Sequence, residues 1–425
     1  MITILGAGLA GLSAAYHLGD GYRVLEREAE PGGLCRSVEK SGYVFDIAPH
    51  ILFTRDEYAR GLFAKLLEGN LLTHDRQAYI YMMGTYVKYP FEANLHPLPR
   101  EVREECIRGV VDRPTLKPRN FMEWIQSSFG EGIAKHYMVP YNEKIWKYPL
   151  DRMNTEWLGG RVPSPSVEEM RRGAEGDQNV DYGPNAQFWY PKAGGIGALP
   201  EALAEGLDVS YGSNVVDVKP TKKGVKVTYQ RNGSPKSVES DYALSSLPLP
   251  EIVRIMSDVP EDVVKAANRL VYNSIICVDV GVKRAGITDK HWLYFPEPKL
   301  VFNRISFPMN FSPETTPPGR SSVLVEVTYR GRQPDLEETK GRVLHGLVEA
   351  ELMKESDEVE VCDASSFRYA YVIYDLNHRK NVAAVHRYLR ESRVIPIGRF
   401  GEWEYYNMDK AILSGKKAAE SLPVD

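Results

Sequence analysis

Residues 2–18, Ile2-Thr3-Ile4-Leu5-Gly6-Ala7-Gly8-Leu9-Ala10-Gly11-Leu12-Ser13-Ala14-Ala15-Tyr16-His17-Leu18, decide the fold of this chain. Ile2 to Leu5 is a short apolar run that reads as a buried strand. Gly6, Gly8 and Gly11 follow in G-x-G-x-x-G spacing, and Leu12 to Leu18 continues as a helix. Tyr22-Arg23-Val24-Leu25 reads as a second strand ending in Glu26, twenty residues beyond Gly6. That offset suits a carboxylate on the hydroxyls of an adenosine ribose. Gly6 permits the tight turn, Gly8 lets the backbone approach a pyrophosphate, and Gly11 lets helix and strand pack closely. The helix N-terminus then faces the phosphates. Strand, glycines, helix, second strand and acid fall in one register, which specifies a Rossmann-type dinucleotide-binding βαβ unit.

Composition bounds the rest. The 425 residues are 43% hydrophobic and 26% charged, ample for two or three domains with sizeable cores. With 53 basic and 57 acidic side chains, the net charge of −4 argues against a general nucleic-acid or anionic-membrane surface. No apolar run approaches the ~20 residues of a membrane span. The first strand begins at Ile2, so the chain reads as lacking a signal or transit peptide. Cys35, Cys106, Cys277 and Cys362 are scattered, without metal-ligand spacing. No metal site is expected, and the default compartment is a reducing cytoplasm.

Working outward, residues ~75 to ~190 read as largely helical, with segments such as Phe121 to Ile125 at helical spacing. Leu207 to Val218 and Val225 to Tyr229 read as strands, and Asn232-Gly233 as a hairpin turn. Ser245-Ser246-Leu247-Pro248 closes a strand that rejoins the first domain. A β-rich block spans Ile275 to Tyr329, clearest at Val278 to Val282 and Val323 to Val327, and a helix follows around Leu336 to Met353. Near the C-terminus a strand, Val394 to Ile397, feeds Gly398-Arg399-Phe400-Gly401 and a helix from about Met408 to Glu420, with Asn407 as its N-cap. Such a turn aims a positive helix end at a ligand. The expected architecture is α/β. A discontinuous Rossmann-type domain (1–75, 191–272, 365–425) carries two insertions, a mostly helical substrate domain (76–190) and an antiparallel β-sheet substrate domain (273–364).

Beyond Glu26, the doublet Gly32-Gly33 followed by Leu34-Cys35-Arg36 resembles the large flavoprotein family that contains amine oxidases and protoporphyrinogen oxidase. The resemblance implies FAD rather than NAD, with Arg36 near its phosphates or ribose. Further strings resemble UDP-galactopyranose mutases, especially the eukaryotic branch. They are Tyr89-Pro90-Phe91 with Asn94, Pro140-Tyr141-Asn142-Glu143-Lys144-Ile145-Trp146, and Trp157-Leu158-Gly159-Gly160-Arg161-Val162. Gly183-Pro184-Asn185-Ala186, Trp292-Leu293-Tyr294-Phe295-Pro296 with Arg304, and Gly398-Arg399-Phe400-Gly401 with Trp403 and Tyr405 complete the series. The matches run in one order over nearly the whole chain.

This resemblance implies a flavin-dependent pyranose–furanose mutase acting on a nucleotide sugar. In that family N5 of reduced FAD attacks the anomeric carbon, and a flavin–sugar iminium lets the ring open and reclose without net redox change. An external reductant such as NADPH would reduce the flavin. Gly194-Gly195-Ile196-Gly197 reads as a contact to flavin or to a substrate flap rather than as a nicotinamide site. The implied cofactor contacts are Gly6, Gly8, Ala10, Gly11, Glu26, Arg27, Gly33, Leu34, Arg36, His50, Val215, Gly398, Arg399, Asn407 and Met408. Arg161 and Arg304 would clamp the diphosphate, since guanidinium forks suit its oxygens. Tyr294, Tyr371 and Tyr405 would donate hydroxyls, each worth about 1.5–3 kcal/mol to a charged oxygen. Arg76 and Tyr89 would lie near sugar or flavin, Trp292 would stack on the nucleobase, and His50 would sit beside flavin N5. Asn142, Trp146 and Asn185 complete the implied substrate set.

The chain departs from the family in three places. Ala48-Pro49 replaces a glycine pair before His50, and proline fixes φ and removes a donor, so a stiffer loop is expected. Phe311 stands where the eukaryotic branch has a diphosphate-holding tyrosine. Tyr371 to His378 keeps the leading tyrosine but loses the proline-rich continuation. Two other readings compete: an FAD-dependent oxidase or dehydrogenase of the amine oxidase type, and a non-catalytic binding protein on the same fold.

Overall fold

The computed structural model describes residues 1–162, 165–176 and 185–422. Its N-terminal core is an all-parallel five-stranded sheet in the order Val394–Pro396, Tyr242–Ser245, Ile2–Leu5, Tyr22–Leu25, Val209–Ser210. Strands from three distant parts of the sequence thus complete one sheet, so the Rossmann-type core is discontinuous. The first helix, Leu9–Leu18, is rich in alanine, which lets the C-terminal helix Met408–Ser421 lie close against it. A Cβ on Gly415 would fall 2.1 Å from the Ala10 carbonyl oxygen. A meander of Ser213–Pro220, Val225–Arg231 and Ser234–Ser240 flanks this core. Its second turn has positive φ at both Asn232 (51°) and Gly233 (74°), as a two-residue hairpin requires.

The second sheet has seven strands, ordered Val359–Ile373, Val271–Val282, Ser321–Tyr329, Arg304–Ser306, Trp292–Tyr294, Ala78–Met82, Thr85–Lys88. Two sequence expectations are corrected here. Residues 78–88 lie within the stretch read as helical but form two strands of this sheet, and the sheet is mixed, because Trp292–Tyr294 pairs in parallel with Ala78–Met82. Val271–Val282 is buried almost throughout because both of its faces are covered. The helix Leu336–Glu349 packs on the sheet, and the ring of Tyr43 lies where a Cβ on Gly281 would approach it at 2.8 Å.

Helices Arg100–Val111, Phe121–Ile133, Val139–Trp146 and Val167–Glu175 form a layer beside this sheet. Ala134–Met138 is a π-type turn between two of them, a feature frequent at functional sites. Leu71–Asp75 and Gln187–Pro191 pair antiparallel where this layer meets the Rossmann core. Among the described residues no helix is long and apolar enough to cross a membrane, and no cluster of side chains has the makings of a metal site.

Candidate functional site

The glycine turns build a cradle before any ligand is considered. Gly6 sits at φ +97°, a conformation only glycine adopts freely, and a Cβ on Gly11 would lie 2.0 Å from the Gly6 carbonyl oxygen. Gly8 begins the first helix with no side-chain cap, so the first-turn N–H groups are left for a ligand. Gly8 bridges to Gly32, and a Cβ on Gly33 would come within 3.4 Å of Gly8 Cα. Glu26 is buried, its carboxylate accepting hydrogen bonds from the amides of Ala7 (2.6 Å) and Glu28 (2.9 Å). The Ser213 amide donates to the Glu26 carbonyl at 2.7 Å, which brings the strand bearing Val215 beside this acid. Arg36 braces the doublet turn by donating to the Gly33 carbonyl at 2.9 Å, while its Nη1 meets Glu30 at 3.3 Å; Leu34 lies within the same turn. Arg27 does not join them. Its side chain is 72% exposed and pairs with its neighbour Glu28.

On the far side, Gly398 has φ +72°, and a Cβ there would meet the Ala10 methyl at 2.5 Å. Asn407 occupies the N-cap position of the last helix, as expected, but makes no side-chain capping bond, so this N-terminus too is open ahead of Met408. Two uncapped helix N-termini, glycines that admit no side chain and a fixed carboxylate fit a dinucleotide cofactor. His50 is adjacent. Its Nδ1–H donates to the Ala48 carbonyl at 2.6 Å, which leaves the Nε2 lone pair as an acceptor. Burial, reinforced by the charges of Arg399 and Arg304, pushes His50 down to about 4, so the ring is neutral near pH 7.

Three arginines converge on two tyrosines. The guanidiniums of Arg161 and Arg399 lie 5.0 and 4.8 Å from the centroid of the Tyr405 ring, and Arg399 is 5.2 Å from that of Tyr371. Arg161 donates to the carbonyls of Trp157 (2.7 Å) and Tyr405 (2.6 Å); Arg399 donates to those of Ala370 (3.0 Å) and Tyr406 (3.2 Å). Both Nε–H groups are buried without a partner, and neither guanidinium pairs with a carboxylate among the described residues. Arg304 is different. Tyr294, Arg304 and Glu326 stand opposite one another on three successive strands, and the buried Glu326 carboxylate engages Arg304 through Nε and Nη2. Burial opposes the Arg304 charge, but Glu326 outweighs it and holds the guanidinium well above its ordinary value. Arg304 Nη2 also lies 3.5 Å from the Tyr371 hydroxyl. Burial raises the tyrosine hydroxyls of Tyr89, Tyr294 and Tyr371, which keeps them as protonated donors.

From Tyr294 a row of rings leads away. Tyr141 is 5.4 Å from Tyr294, Tyr137 stacks on Tyr141 at 5.5 Å, and Phe91 stacks on Tyr137 at 4.7 Å. Tyr89 joins at 5.6 Å from Tyr294 and carries the Arg76 guanidinium 4.8 Å from its centroid. Arg76 in turn donates to Asn185 Oδ1 at 2.7 Å. Near Tyr89 and Tyr137, Glu92 is 2% exposed with no cation paired to it among the described residues, and burial raises its carboxyl to about 7.

Other expected residues fall elsewhere. The Trp292 ring is buried against Phe188 (5.7 Å) and Phe311 (6.4 Å). Phe311 belongs to that aromatic core with Tyr190 and His291. Asn142 spends its amide internally, donating to the Met138 carbonyl (2.7 Å) and accepting from Trp146 Nε1 (3.0 Å). Trp146 then presents its ring edge-on to Tyr371 and Tyr405. Gly183 and Pro184 lie outside the described residues. Sequence reasoning missed Tyr137, Tyr141, Trp157, Glu92 and Glu326. The Tyr141 and Trp157 motifs were in view, whereas Glu326 is found only through strand register.

Comparison with known proteins agrees with this cradle. The chain resembles the crystal structure of reduced UDP-galactopyranose mutase, with a TM-score of 0.92, 28% identity, and coverage of 99% of this chain and 94% of that one. It shares its fold with putrescine oxidase (TM-score 0.64, 19% identity, coverage 99% and 98%). Among curated relatives, L-amino acid oxidase bordonein-L of Crotalus durissus terrificus is 27% identical over 277 residues, 57% of this chain and 50% of that protein. Coproporphyrinogen III oxidase of Staphylococcus aureus is 21% identical over 267 residues, 54% of this chain and 57% of that protein. The chain therefore spans about half the length of the curated relatives it matches. The family model for flavin-containing amine oxidoreductases matches residues 9–422. This chain belongs to the flavin-containing amine oxidoreductase family, and its cofactor is FAD.

Proposed function

We propose that this flavoenzyme is a nucleotide-sugar pyranose–furanose mutase of the UDP-galactopyranose mutase type. The observation that carries the reading is the pair of partly buried guanidiniums, Arg161 and Arg399, that share Tyr405 and lack any described carboxylate partner. Buried charge with no counter-ion among the described residues calls for an anionic ligand. A nucleoside diphosphate supplies several charged oxygens, and Arg304 flanks the same tyrosines.

When bound, FAD in its reduced form supplies the nucleophile for the anomeric carbon. The chain's own residues do the rest. Arg161 and Arg399 stabilise negative charge on the departing diphosphate, with the protonated hydroxyls of Tyr294 and Tyr371 as further donors. Neutral His50 offers Nε2 as a fixed acceptor beside the cofactor. The partly buried rings of Tyr294 and Tyr141 provide faces for the nucleobase, backed by Tyr137. In this division of labour the Rossmann core holds FAD, while the helical layer and the large sheet hold the sugar nucleotide.

The curated oxidase relatives favour a second reading, an amino-acid or amine oxidase. An α-carboxylate needs one arginine, whereas two guanidiniums without a described acid partner converge here, with Arg304 beside them. The deciding experiment is anaerobic incubation of UDP-galactopyranose and UDP-galactofuranose with oxidised and dithionite-reduced protein, followed by chromatography. Interconversion by the reduced protein alone is expected. Peroxide release from amino acids, with no interconversion, would replace the mutase by the oxidase.

A further inference from the structure

The segment Tyr374–Arg379, where the sequence leaves the mutase pattern, is tied to the loop that carries Arg161. Met153 bridges Asp375, the Asn154 amide donates to the Tyr374 carbonyl at 2.8 Å, and Asn154 Nδ2 donates to the Asp375 carbonyl at 3.1 Å. Asn154 Oδ1 then accepts from the Glu156 amide at 2.9 Å, which turns Glu156 toward the helix His378–Glu391. There Arg379 pairs with Glu156 through Nε and with Glu404 through Nη1. Glu404 accepts from the Tyr374 hydroxyl, which itself accepts from the Tyr405 amide at 2.9 Å. The Tyr405 carbonyl accepts from Arg161 Nη2 at 2.6 Å, and Arg161 Nη1 returns to the Trp157 carbonyl at 2.7 Å. The bonds close a ring from the stem of the Arg161 loop, through Arg379 and Glu404, back to Arg161.

We propose that Arg379 is a positioning residue: by bridging Glu156 and Glu404 it clips the Arg161 loop to the Tyr405 segment and so sets the geometry of the anion clamp. The inference takes the ligand class from the nucleotide-sugar reading, but the clip itself is independent of it. A planar guanidinium can meet two carboxylates at once, which a lysine ammonium does less well. Arg379 and Glu156 are about half exposed (51% and 47%), so the bridge biases loop opening by about two- to fivefold rather than by orders of magnitude.

The test is hydrogen exchange on the FAD-loaded protein. In Arg379→Gln, amides of residues 154–162 should exchange two- to fivefold faster, while those of residues 2–18 are unchanged. Glu156→Gln should give the same effect, and the double variant no more than either alone. Lys380→Gln, which removes an exposed charge one residue along the same helix, should leave the loop as it is. Wild-type exchange of residues 154–162 in Arg379→Gln would overturn the proposal. UDP affinity provides the second readout, falling by the same factor in Arg379→Gln with FAD retention unaltered. Faster exchange with undiminished UDP affinity would overturn the positioning role. A wild type that fails to retain UDP counts against the nucleotide-sugar reading alone, and the exchange rates then decide the clip.

Discussion

Arg161 and Arg399 differ from Arg304 in a way that mutation can read. Their charges have no carboxylate partner among the described residues, so truncating either removes attraction for an anion without stranding a described buried acid. Arg161→Ala and Arg399→Ala should each weaken UDP binding about 10- to 100-fold, the worth of one or two charge-assisted hydrogen bonds, and should destabilise the fold less than Arg304→Ala, because each gives up bonds to backbone carbonyls but strands no described acid. Calorimetric titration of both variants checks this. Arg304→Ala instead leaves Glu326, fully buried, without its counter-charge, and should destabilise the fold by about 3 kcal/mol or more. Urea unfolding separates the two classes. His50 yields a pH prediction. A histidine lowered to about 4 stays neutral across the working range, so its ring should show no titration by NMR between pH 5.5 and 8. A midpoint near the ordinary histidine value would contradict the buried, neutral assignment.

At the scale of elements, the contact between the first and last helices depends on positions that admit no side chain. A Cβ on Gly415 would meet the Ala10 carbonyl oxygen at 2.1 Å and the Ala14 amide nitrogen at 2.9 Å, both backbone atoms that cannot swing aside. Gly415→Ala should therefore push the helix Met408–Ser421 outward and cost about 1–3 kcal/mol, and, on the reading that the uncapped N-terminus of this helix faces the cofactor, it should loosen FAD. Measured FAD release would show it. The first helix and its glycines were legible in the sequence because their chemistry is local: a turn, a close approach and a dipole all lie within 20 residues. Ala78–Lys88 was not legible. Its apolar run is too short to distinguish strand from buried helix, and its parallel partner Trp292–Tyr294 lies more than 200 residues along the chain. The row Tyr294–Arg304–Glu326 was hidden for a similar reason. Two strand registers place those side chains together, and no spacing in the sequence encodes them.

For the molecule as a whole, buried ionisable groups couple stability to pH in two opposing senses. Burial raises Asp46 and Asp279 to about 6 and Glu92 to about 7, so below those values the native state holds protons that the unfolded chain has released. These groups favour folding at low pH, and that contribution fades as pH rises through the folded values. His50, His291 and His386 are lowered to about 4 by burial and act in reverse, because the unfolded chain protonates them first as pH falls. The two sets largely offset one another between about pH 4 and 6.5, so the wild-type stability curve alone assigns nothing. A difference curve does. Glu92→Gln keeps the shape of the side chain and removes the titration. Above pH 7 the wild type carries an unpaired buried carboxylate that glutamine spares it, and a rise from the ordinary glutamate value to about 7 corresponds to about 3 kcal/mol. The variant should therefore be more stable than the wild type by up to that amount at pH 8. The gap should close as pH falls toward 4, where both side chains are neutral. Parallel urea titrations at several pH values measure it, and a gap that stays constant with pH would show that Glu92 is paired or solvated in the folded protein.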